Sequence, residues 1–254
     1  MELSEEQRQF KERYIRERGY WVPFNDGLLA YCPDYLKAYL DYAGTPIRTG
    51  PLSPRLCELI YVAVDTSTTH MFGQGLAIHV RRALEIGCSP IELIEVTQLA
   101  TAQGLDSVMI GIDMIAEELA AADRTPDAFV APLNMRMAEL KRAYVDRFGD
   151  WPLWCERLLQ LAPDYFAALS DLLAATATSG ALDEKERCLI ALALAAAPTH
   201  LDRDAMRLHM RRALRHGATA EELLQVMQLV AHLGVHACVI GVPLIMEAVG
   251  QASG

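Results

Sequence analysis

Histidine recurs in pairs at a fixed spacing. His70 and His79 lie nine residues apart, and His200 and His209 repeat that spacing 130 residues later. His79 and His209 each stand between apolar neighbours on a predicted helix, where a buried polar side chain costs free energy unless something pairs with it. Imidazole titrates near neutral pH and can accept or deliver a proton, as general acid–base catalysis requires. All four histidines are therefore candidate catalytic residues, and the alternative is that they are ordinary core or interface histidines.

An acidic residue precedes the first histidine pair. Glu58 projects from a predicted buried helix, so its carboxylate needs a partner, and a histidine is the obvious choice. Glu58 therefore joins the candidate catalytic set. The equivalent residue of the second half is Cys188, so the two halves cannot carry chemically equivalent sites. The apolar residues that follow Cys188 predict an inert, buried thiol.

Polar residues near the histidines form the candidate substrate-binding set. A guanidinium can hold a carboxylate through two parallel hydrogen bonds, so the arginines beside the helical histidines are candidates for a carboxylate clamp. Their alternative role is a solvated or subunit-contact helix face. A glutamine recurs at the same position of each half, and two histidines follow the second of these glutamines. The predicted substrate-binding residues are Arg81, Arg207, Arg211, Gln98, Gln228, His232 and His236.

The sequence predicts no metal and no cofactor. His232 and His236 are four residues apart and would share one helical face only if Gly234 does not interrupt the helix. Acids or thiols at a fixed spacing from these two histidines are missing. The chain has no glycine-rich phosphate loop, no Gly-x-Ser-x-Gly turn and no dinucleotide fingerprint. A nucleotide cofactor is therefore not expected.

Composition limits the class of protein. The chain has 254 residues, of which 52% are hydrophobic and 22% charged, and this favours a folded protein with a real core over a disordered one. The net charge of −10 argues against a surface for nucleic acids or anionic membranes. We expect no segment to cross a bilayer, because no run of about 18 uncharged apolar residues stands out. The N-terminus is charged throughout, unlike a signal peptide, which predicts a cytoplasmic protein.

The elements that must position these residues form an internal repeat. Shifting the sequence by 130 residues aligns it with itself without a gap, so that Trp21 falls on Trp151. The strings His-Val-Arg-Arg-Ala-Leu and His-Met-Arg-Arg-Ala-Leu coincide in this register. We therefore predict a tandem duplication, with one helical domain over residues 1–124 and a second over residues 125–254.

Every predicted element is helical. Ser53 and Pro54 open a helix whose residues 56–64 are apolar nearly all round, as is typical of a buried helix. Residues 76–86 form the next helix, and Gly87 ends it in the usual C-terminal position. Two further helices follow in each half. No alternation of period two and no hairpin dipeptide indicates a strand, so the predicted fold class is all-α.

The repeated motif resembles the carboxymuconolactone decarboxylase family. It consists of His-Val-Arg-Arg-Ala-Leu-Glu-Ile-Gly followed by Ser-Pro-Ile-Glu-Leu-Ile-Glu-Val-Thr-Gln-Leu-Ala, and its second version begins at Arg207. The resemblance covers about residues 52–120 and 182–249. It implies two tandem, all-helical domains of the alkylhydroperoxidase D-like type that work without a cofactor. It also implies assembly as trimers or hexamers, and three copies of a duplicated chain would equal a hexamer of single domains.

One branch of this superfamily reduces peroxides through a Glu…Cys-x-x-Cys-x-x-x-His relay. Counted back from His79, the two cysteine positions hold Phe72 and Gly75, and the second half lacks both cysteines as well. Counted forward from Glu58, the first cysteine position falls on His70. Both thiols of the relay are missing, so we expect no peroxidase activity by that route.

The other branch decarboxylates a carboxylated muconolactone in the breakdown of aromatic compounds. The resemblance implies loss of CO₂ from a vinylogous acid, followed by protonation of the resulting dienolate. By this resemblance, His79 and His209 donate protons, and Glu58 tunes His70 or His79. The arginines of the candidate substrate-binding set would receive the carboxylates of the substrate.

The chain departs from the family in one segment. The Tyr-x-Gly-x-Pro segment of the lactone decarboxylases is Ala-Gln-Gly-Leu-Asp at residues 102–106 and His-Leu-Gly-Val-His at residues 232–236. The Tyr and the Pro of this segment line the pocket in the family. They are replaced by Ala102 and Asp106 in the first half and by His232 and His236 in the second. This difference bears on the identity of the substrate more than on the type of reaction.

Three functions follow as hypotheses. The leading one is a cofactor-independent lyase, or a related isomerase, that acts on a small carboxylated, enolisable lactone or keto acid by histidine-mediated proton transfer. The second is a non-catalytic helical scaffold that binds a small molecule or partner, and histidines tied up in core hydrogen bonds without a cavity would favour it. The third is a redox or stress protein that uses a lone thiol such as Cys188, which must then be exposed with a lowered pKa. A homotrimer is expected in the leading case.

Overall fold

The computed structural model describes residues 3–176 and 178–252, which contain helices, turns and loops but no strand. The all-α prediction is confirmed over these residues. The helices of the first repeat are α1 (Glu5–Arg18), α2 (Pro23–Tyr31), α3 (Pro33–Thr49), α4 (Pro54–Thr66), α5 (Gly73–Glu85), α6 (Pro90–Thr101) and α7 (Asp106–Ala121). Those of the second repeat are α8 (Met135–Phe148), α9 (Leu153–Leu161), α10 (Pro163–Ala175), α11 (Glu184–Ala196), α12 (Arg203–Arg215), α13 (Ala220–Val230) and α14 (His236–Ala252).

The helix boundaries follow the capping signals of the sequence. The Ser53 hydroxyl accepts a hydrogen bond from the backbone N–H three residues on at 3.2 Å, and Pro54 is the first residue of α4. Asp183 and Glu186 form the reciprocal capping box of α11. Helix α5 begins one turn earlier than predicted, and Gly87 follows it with φ of +94°, a conformation that favours glycine.

The chain forms two compact units that cut across the repeat. The first unit comprises Met1–Ala100 and Asp183–Gly254, and the second comprises Thr101–Leu182. The first unit therefore takes α1–α6 from the first repeat and α11–α14 from the second, whereas the second unit holds α7–α10. Neither compact unit ends near residue 124, where the two sequence repeats meet. The division into domains 1–124 and 125–254 therefore stays a prediction.

Helices α4 and α11 form the centre of the first unit. They pack against each other, α4 packs against α5, and α11 packs against α12. Their apolar stretches are buried on nearly all sides, as the sequence predicted. The fully buried side chains of these two helices include Leu59, Ile60, Leu189, Ile190 and Leu192.

Repeated ion pairs tie the central helices to their neighbours in the first unit. Arg55 of α4 pairs with Glu92 of α6, and Lys185 of α11 pairs with Glu222 of α13 at 2.8 Å. The two pairs occupy equivalent positions of the repeat. Arg55 also pairs with Glu186, which joins α4 directly to α11.

The last helix of each repeat packs against the N-terminal helices of the other repeat. In the first unit, α2 lies against α14, and Gly27 faces Val242 so closely that a Cβ at this glycine would collide. In the second unit, α9 packs against both α7 and α10 around the buried Phe166. Each compact unit therefore mixes helices of the two repeats.

Two stretches are long and apolar enough to cross a membrane by length and composition alone. They are Pro90–Ala121 and Ala220–Gln251, with mean hydropathy of 1.2 and 2.0 in their most apolar windows. The core helices of soluble proteins meet the same criteria. In the second stretch, residues 223–246 carry no Asp, Glu, Lys or Arg, although glutamines and histidines interrupt the apolar run. The expectation that no segment crosses a bilayer therefore stays a prediction.

Candidate active site

Three ionisable side chains lie on one face of the buried helix α4. Glu58, Tyr61 and Asp65 are three and four residues apart, a spacing that places them on the same side of a helix. Most other residues of α4 are apolar and buried. Because buried polar groups cost free energy unless they are paired, neighbouring segments must supply partners. These three residues are called the α4 stripe below.

The helical histidine of α5 is the partner of the first stripe residue. Nδ1 of His79 lies 2.8 Å from Oε2 of Glu58, and both side chains are largely buried. A carboxylate that accepts the Nδ1 proton fixes the tautomer of the ring and leaves Nε2 to act on a ligand. Nε2 has no hydrogen-bond partner within residues 3–176 and 178–252. Of the two histidines that the sequence offered to Glu58, the structure thus selects His79.

Tyr61 connects this pair to the second repeat. Its ring stacks on His79 with the ring centroids 4.5 Å apart, and its hydroxyl lies 2.6 Å from Nδ1 of His232. Burial, with smaller contributions from Arg18 and His79, lowers the pKa of His232 to about 3. His232 is therefore neutral at physiological pH and serves as the hydrogen-bond partner of Tyr61.

A buried arginine lies beside the same rings. Arg18 is the last residue of α1 and is 7% exposed, with its guanidinium carbon 5.7 Å from the Tyr20 ring centroid and 6.0 Å from that of Tyr61. It donates hydrogen bonds to the Tyr20 hydroxyl and the Ala43 carbonyl, but its Nε has no partner. No carboxylate of the described residues forms an ion pair with it. Because a buried cation without a counter-ion is costly, this position favours an anionic ligand.

The Glu58–His79 pair and Arg18 line a pocket of about 70 Å³ in the first unit. The volume is several times that needed to hold one water molecule, so the pocket can admit a small polar group such as a carboxylate. Its wall is formed by α1, α3, α4 and α5 and the segment after α1, and includes Arg18, Tyr20, Cys57, Glu58, His79 and Arg82.

A second polar cluster surrounds the last stripe residue. Oδ1 of Asp65 lies 3.8 Å from Nε2 of His236, whose Nδ1 lies 2.7 Å from Nε2 of His70. The two imidazole rings are parallel, and Phe72 stacks on His236 with the ring centroids 4.0 Å apart. Burial, with a contribution from Glu58, raises the pKa of Asp65 to about 8, and burial lowers that of His236 to about 4. The structure thus pairs His70 with His236.

A strained turn after α4 positions His70. The backbone N–H groups of His70 and Met71 both donate to the Ser67 carbonyl at 2.9 Å. Met71 adopts φ of +50°, a left-handed conformation that costs about 1–2 kcal/mol in a residue with a side chain. The second repeat keeps the same turn, since Leu201 follows His200 with φ of +49°.

The histidines of the 232–236 segment do not share a helical face. A 3-10 segment over Ala231–Val235, which contains Gly234, separates α13 from α14. His232 therefore contacts Tyr61, whereas His236 begins α14 and lies near Asp65. Both histidines come from the second repeat and complete a site that is built on the first.

The arginine clamp that the sequence predicted lies outside the pocket. Arg82 lines the pocket in place of Arg81, because adjacent residues of a helix point about 100° apart. Arg207 forms a surface ion pair with Asp204 at 3.0 Å. The predicted substrate-binding residues that the structure places at the surface are Arg81, Arg207, Arg211, Gln98 and Gln228.

Comparison with known proteins identifies the helical arrangement. The model of the carboxymuconolactone decarboxylase family matches residues 33–109 and 163–252. The chain belongs to this family. The two matches fall in the two repeats and confirm the tandem organisation. A solved structure from Burkholderia xenovorans LB400, provisionally described as a gamma-carboxymuconolactone decarboxylase subunit, is 33% identical, with a TM-score of 0.91 and 98% of each chain covered. A search of curated proteins finds no match.

In this carboxymuconolactone decarboxylase family member, the second cysteine position of the relay, Gly75, is tightly enclosed. A Cβ at Gly75 would collide with Oδ2 of Asp65 and with the Phe72 ring. A cysteine at this position would therefore have to displace a buried carboxyl group.

The second family domain lacks the α4 stripe. The equivalent positions on α11 hold Cys188, Ala191 and Ala195. Cys188 is buried and burial raises its pKa, so its predicted burial is confirmed and Cys188 is not the exposed, acidic thiol that the redox hypothesis requires. His200 and His209 are half-buried in this repeat. The two family domains therefore differ chemically, as the sequence predicted.

Sequence reasoning missed Tyr61, Asp65 and Arg18, as well as Tyr20 in the pocket wall. Tyr61 and Asp65 stand at helical spacing from Glu58, a signal that was available because the sequence predicted this helix to be buried. Arg18 gave no such signal. Its repeat equivalent is Phe148, and it enters the pocket only through the packing of α1.

Replacing Gly75 with alanine tests the packing against Asp65. We expect Gly75→Ala to lower the free energy of unfolding by about 1–3 kcal/mol, because the new methyl group meets a buried carboxyl and a ring. The control is Gly73→Ala, which adds its methyl group in open space and should leave stability equal or slightly higher. Urea unfolding measures both, and equal stability of the two variants would contradict the packing.

Acid sensitivity tests the buried state of His232. In the unfolded chain, His232 takes up a proton below its ordinary pKa near 6.5, whereas in the folded protein it does so only near pH 3. Between these two pH values the unfolded state binds more protons than the folded state. The free energy of unfolding therefore decreases as the pH falls from 6.5 to 3. The wild type should therefore lose up to about 1.4 kcal/mol per pH unit relative to His232→Asn. Urea unfolding at pH 7 and pH 5 measures this difference. The exposed His216→Asn is the control, and identical pH slopes in wild type and His232→Asn would refute the assignment.

Proposed function

We propose that the chain is a cofactor-independent lyase, or a closely related isomerase, that acts on a small carboxylated, enolisable lactone or keto acid. The single observation that carries the proposal is the Glu58–His79 pair beside the unpaired Arg18 cation in one pocket. Family membership supports the reaction class. The proposal places the protein in the cytoplasm and in the breakdown of aromatic compounds.

Arg18 is the proposed anchor of the substrate. Its guanidinium is buried among aromatic rings and keeps its charge at any physiological pH. A substrate carboxylate that binds there supplies the missing counter-ion and forms charge-assisted hydrogen bonds, which are stronger than neutral ones. The carboxylate that leaves as CO₂ would lie against the apolar wall, where its charge is poorly solvated and its loss is favoured.

His79 is the proposed proton donor. When the C–CO₂ bond breaks, its electron pair moves through the conjugated system onto the carbonyl oxygen and forms a dienolate. Nε2–H of the His79 imidazolium then protonates the carbon end of that system, while Glu58 stabilises the imidazolium through Nδ1. An isomerisation would use the same pair, with His79 first accepting a proton and then returning it.

Tyr20 is the proposed stabiliser of the enolate oxygen. Its hydroxyl accepts a hydrogen bond from Arg18 at 3.3 Å and can donate its own proton into the pocket. A positioned donor next to a buried cation lowers the free energy of a developing negative charge. The pocket beside His79 also argues against the scaffold hypothesis, which requires histidines tied up in the core without a cavity.

Decarboxylation assays test the proposed function. Carboxymuconolactone and related lactone and β-keto acids should be offered to wild type, His79→Gln and Glu58→Gln, with CO₂ release as the readout. We expect His79→Gln to lower kcat at least about 100-fold, the usual contribution of a general acid. Arg18→Met should raise KM about tenfold or more, because it removes the counter-ion of the substrate.

Matched control variants test whether the first or the second repeat carries the activity, and whether Arg18 or Arg81 binds the substrate. His209→Gln changes the equivalent histidine of the second repeat and should leave kcat within about twofold of wild type. Arg81→Met changes the exposed neighbour of the pocket and should leave KM unchanged. Loss of turnover in His209→Gln but not in His79→Gln would reject the first-repeat site. Failure of the wild type to release CO₂ from any of these acids would reject the lyase.

A homotrimer is the proposed assembly of this lyase. Helix α14 exposes large apolar side chains, and the equivalent positions of α7 expose apolar side chains of similar size. Exposed apolar patches of this kind mark contact surfaces, and their repetition agrees with a duplicated subunit that packs in a ring. The exposed residues at equivalent positions are Ile110 and Ile240, Met114 and Leu244, and Ile115 and Ile245.

Light scattering coupled to size exclusion, in buffer without detergent, tests the assembly. The wild type should have the mass of three chains, and Leu244→Glu should reduce it to that of one chain, because a buried carboxylate in the contact would lack a partner. The control is Leu172→Glu on α10, which is exposed to a similar degree and should remain trimeric. A monomeric wild type would overturn the proposal.

A further inference from the structure

The cluster at the end of α4 has the composition of a metal site. Asp65 lies in the last turn of α4, His70 in the turn that follows, and His236 at the first position of α14. One ligand atom of each residue lies within 4.8 Å of those of the other two. All three residues belong to the first compact unit.

One oxygen of the buried carboxyl group in this cluster lacks a hydrogen-bond partner within the described residues. Asp65 is only 2% exposed, and its Oδ2 makes no hydrogen bond within the described part of the chain. This oxygen faces Gly75 and Phe72, and the Phe72 ring stacks on His236. A buried carboxyl oxygen without a donor is costly, so the cluster is better satisfied when a cation binds there.

We propose that Asp65, His70 and His236 bind a divalent transition-metal ion such as Zn²⁺ or Co²⁺. Imidazole and carboxylate ligands suit this class of ion, and the absence of a thiolate disfavours Cu⁺. Three protein ligands leave a coordination position open for water or a small anion. The sequence analysis did not find this site because it considered only the pair His232 and His236, whereas the ligands come from two repeats.

The two imidazoles need only a small movement to bind one ion, and the carboxyl of Asp65, whose Oδ1 lies 3.8 Å from the other ring nitrogen of His236, must move toward that ion. Their nearest nitrogens are 2.7 Å apart, where they share one proton in a hydrogen bond. Two nitrogens bound at about 2.05 Å to one tetrahedral ion lie about 3.3 Å apart. The ion therefore takes the place of the shared proton, which moves to the outer nitrogen of the ring that held it so that both imidazoles stay neutral, while the rings separate by about half an ångström.

The proposal does not rest on the proposed lyase activity. The pocket uses Glu58, His79 and Arg18, whereas the metal site uses three other residues that share only α4 with it. A failed decarboxylation assay would leave the metal site intact, and a failed metal titration would leave the proton-transfer pair intact.

Cobalt titration of the purified full chain tests the site. Co²⁺ bound by histidines absorbs in the visible range, so the absorbance should rise and saturate at one ion per chain. Zn²⁺ should displace the Co²⁺ and raise the midpoint of thermal unfolding, because it binds only the folded state. His70→Ala and His236→Asn should each weaken Co²⁺ binding at least about 100-fold, and Asp65→Asn at least about tenfold.

Two controls keep the test decisive. His216→Ala removes an exposed histidine of the same unit and should bind Co²⁺ as the wild type does. Circular dichroism shows whether each variant is folded. If His70→Ala does not fold, His236→Asn takes its place as the ligand variant. Saturation by one ion that is lost in the ligand variants but kept in His216→Ala supports the site. No saturable absorbance, or absorbance unchanged in both histidine variants, overturns it and leaves a metal-free hydrogen-bonded chain.

Discussion

In the first compact unit, three ionisable side chains are buried on one face of the central helix α4. Burying them costs free energy, and the packing of the neighbouring segments depends on how that cost is offset. The α4 stripe lies on a helix whose other faces fill the apolar core. In such a place, each polar group needs a partner within hydrogen-bond distance. His79 of α5 pairs with Glu58, and His232 pairs with Tyr61. The partners come from different parts of the chain, so the stripe constrains how those parts pack.

Each compact unit contains helices of both repeats, and the need to pair the buried polar groups of the α4 stripe explains this mixing in the first unit. The two histidines nearest to Tyr61 and Asp65 belong to the second repeat, and helix α14 brings one of them into the first unit by packing on α2. A single repeat would leave Tyr61 without its hydrogen-bond partner and Asp65 without the imidazole that lies 3.8 Å away. The equivalent positions of α11 hold a buried cysteine and two alanines and need no such partners. The two repeats therefore have different roles in the first unit, since one carries the polar stripe and the other supplies histidines that lie against it.

Local signals in the sequence predicted most of the fold. Caps such as Ser53 and Asp183 and the left-handed Gly87 specify where helices begin and end, because they depend on a few adjacent residues. The sequence also predicted a histidine partner for Glu58, since a carboxylate on a buried helix needs one, but it left His70 and His79 as alternatives and the structure selects His79. The compact units did not follow, because contacts between α14 and α2 depend on packing over more than 200 residues of chain. Arg18 and the choice of Arg82 over Arg81 depend on the rotation of packed helices, which residue types alone do not encode.

The central claim is that each chain has one anion-binding catalytic pocket, built on the first repeat around Arg18. Calorimetric titration with a stable lactone carboxylate that cannot lose CO₂ tests it most directly, because it counts sites per chain. The account predicts one site per chain in wild type and in Arg211→Met, and binding at least about tenfold weaker in Arg18→Met. Two equivalent sites per chain, or undiminished binding to Arg18→Met, would contradict it.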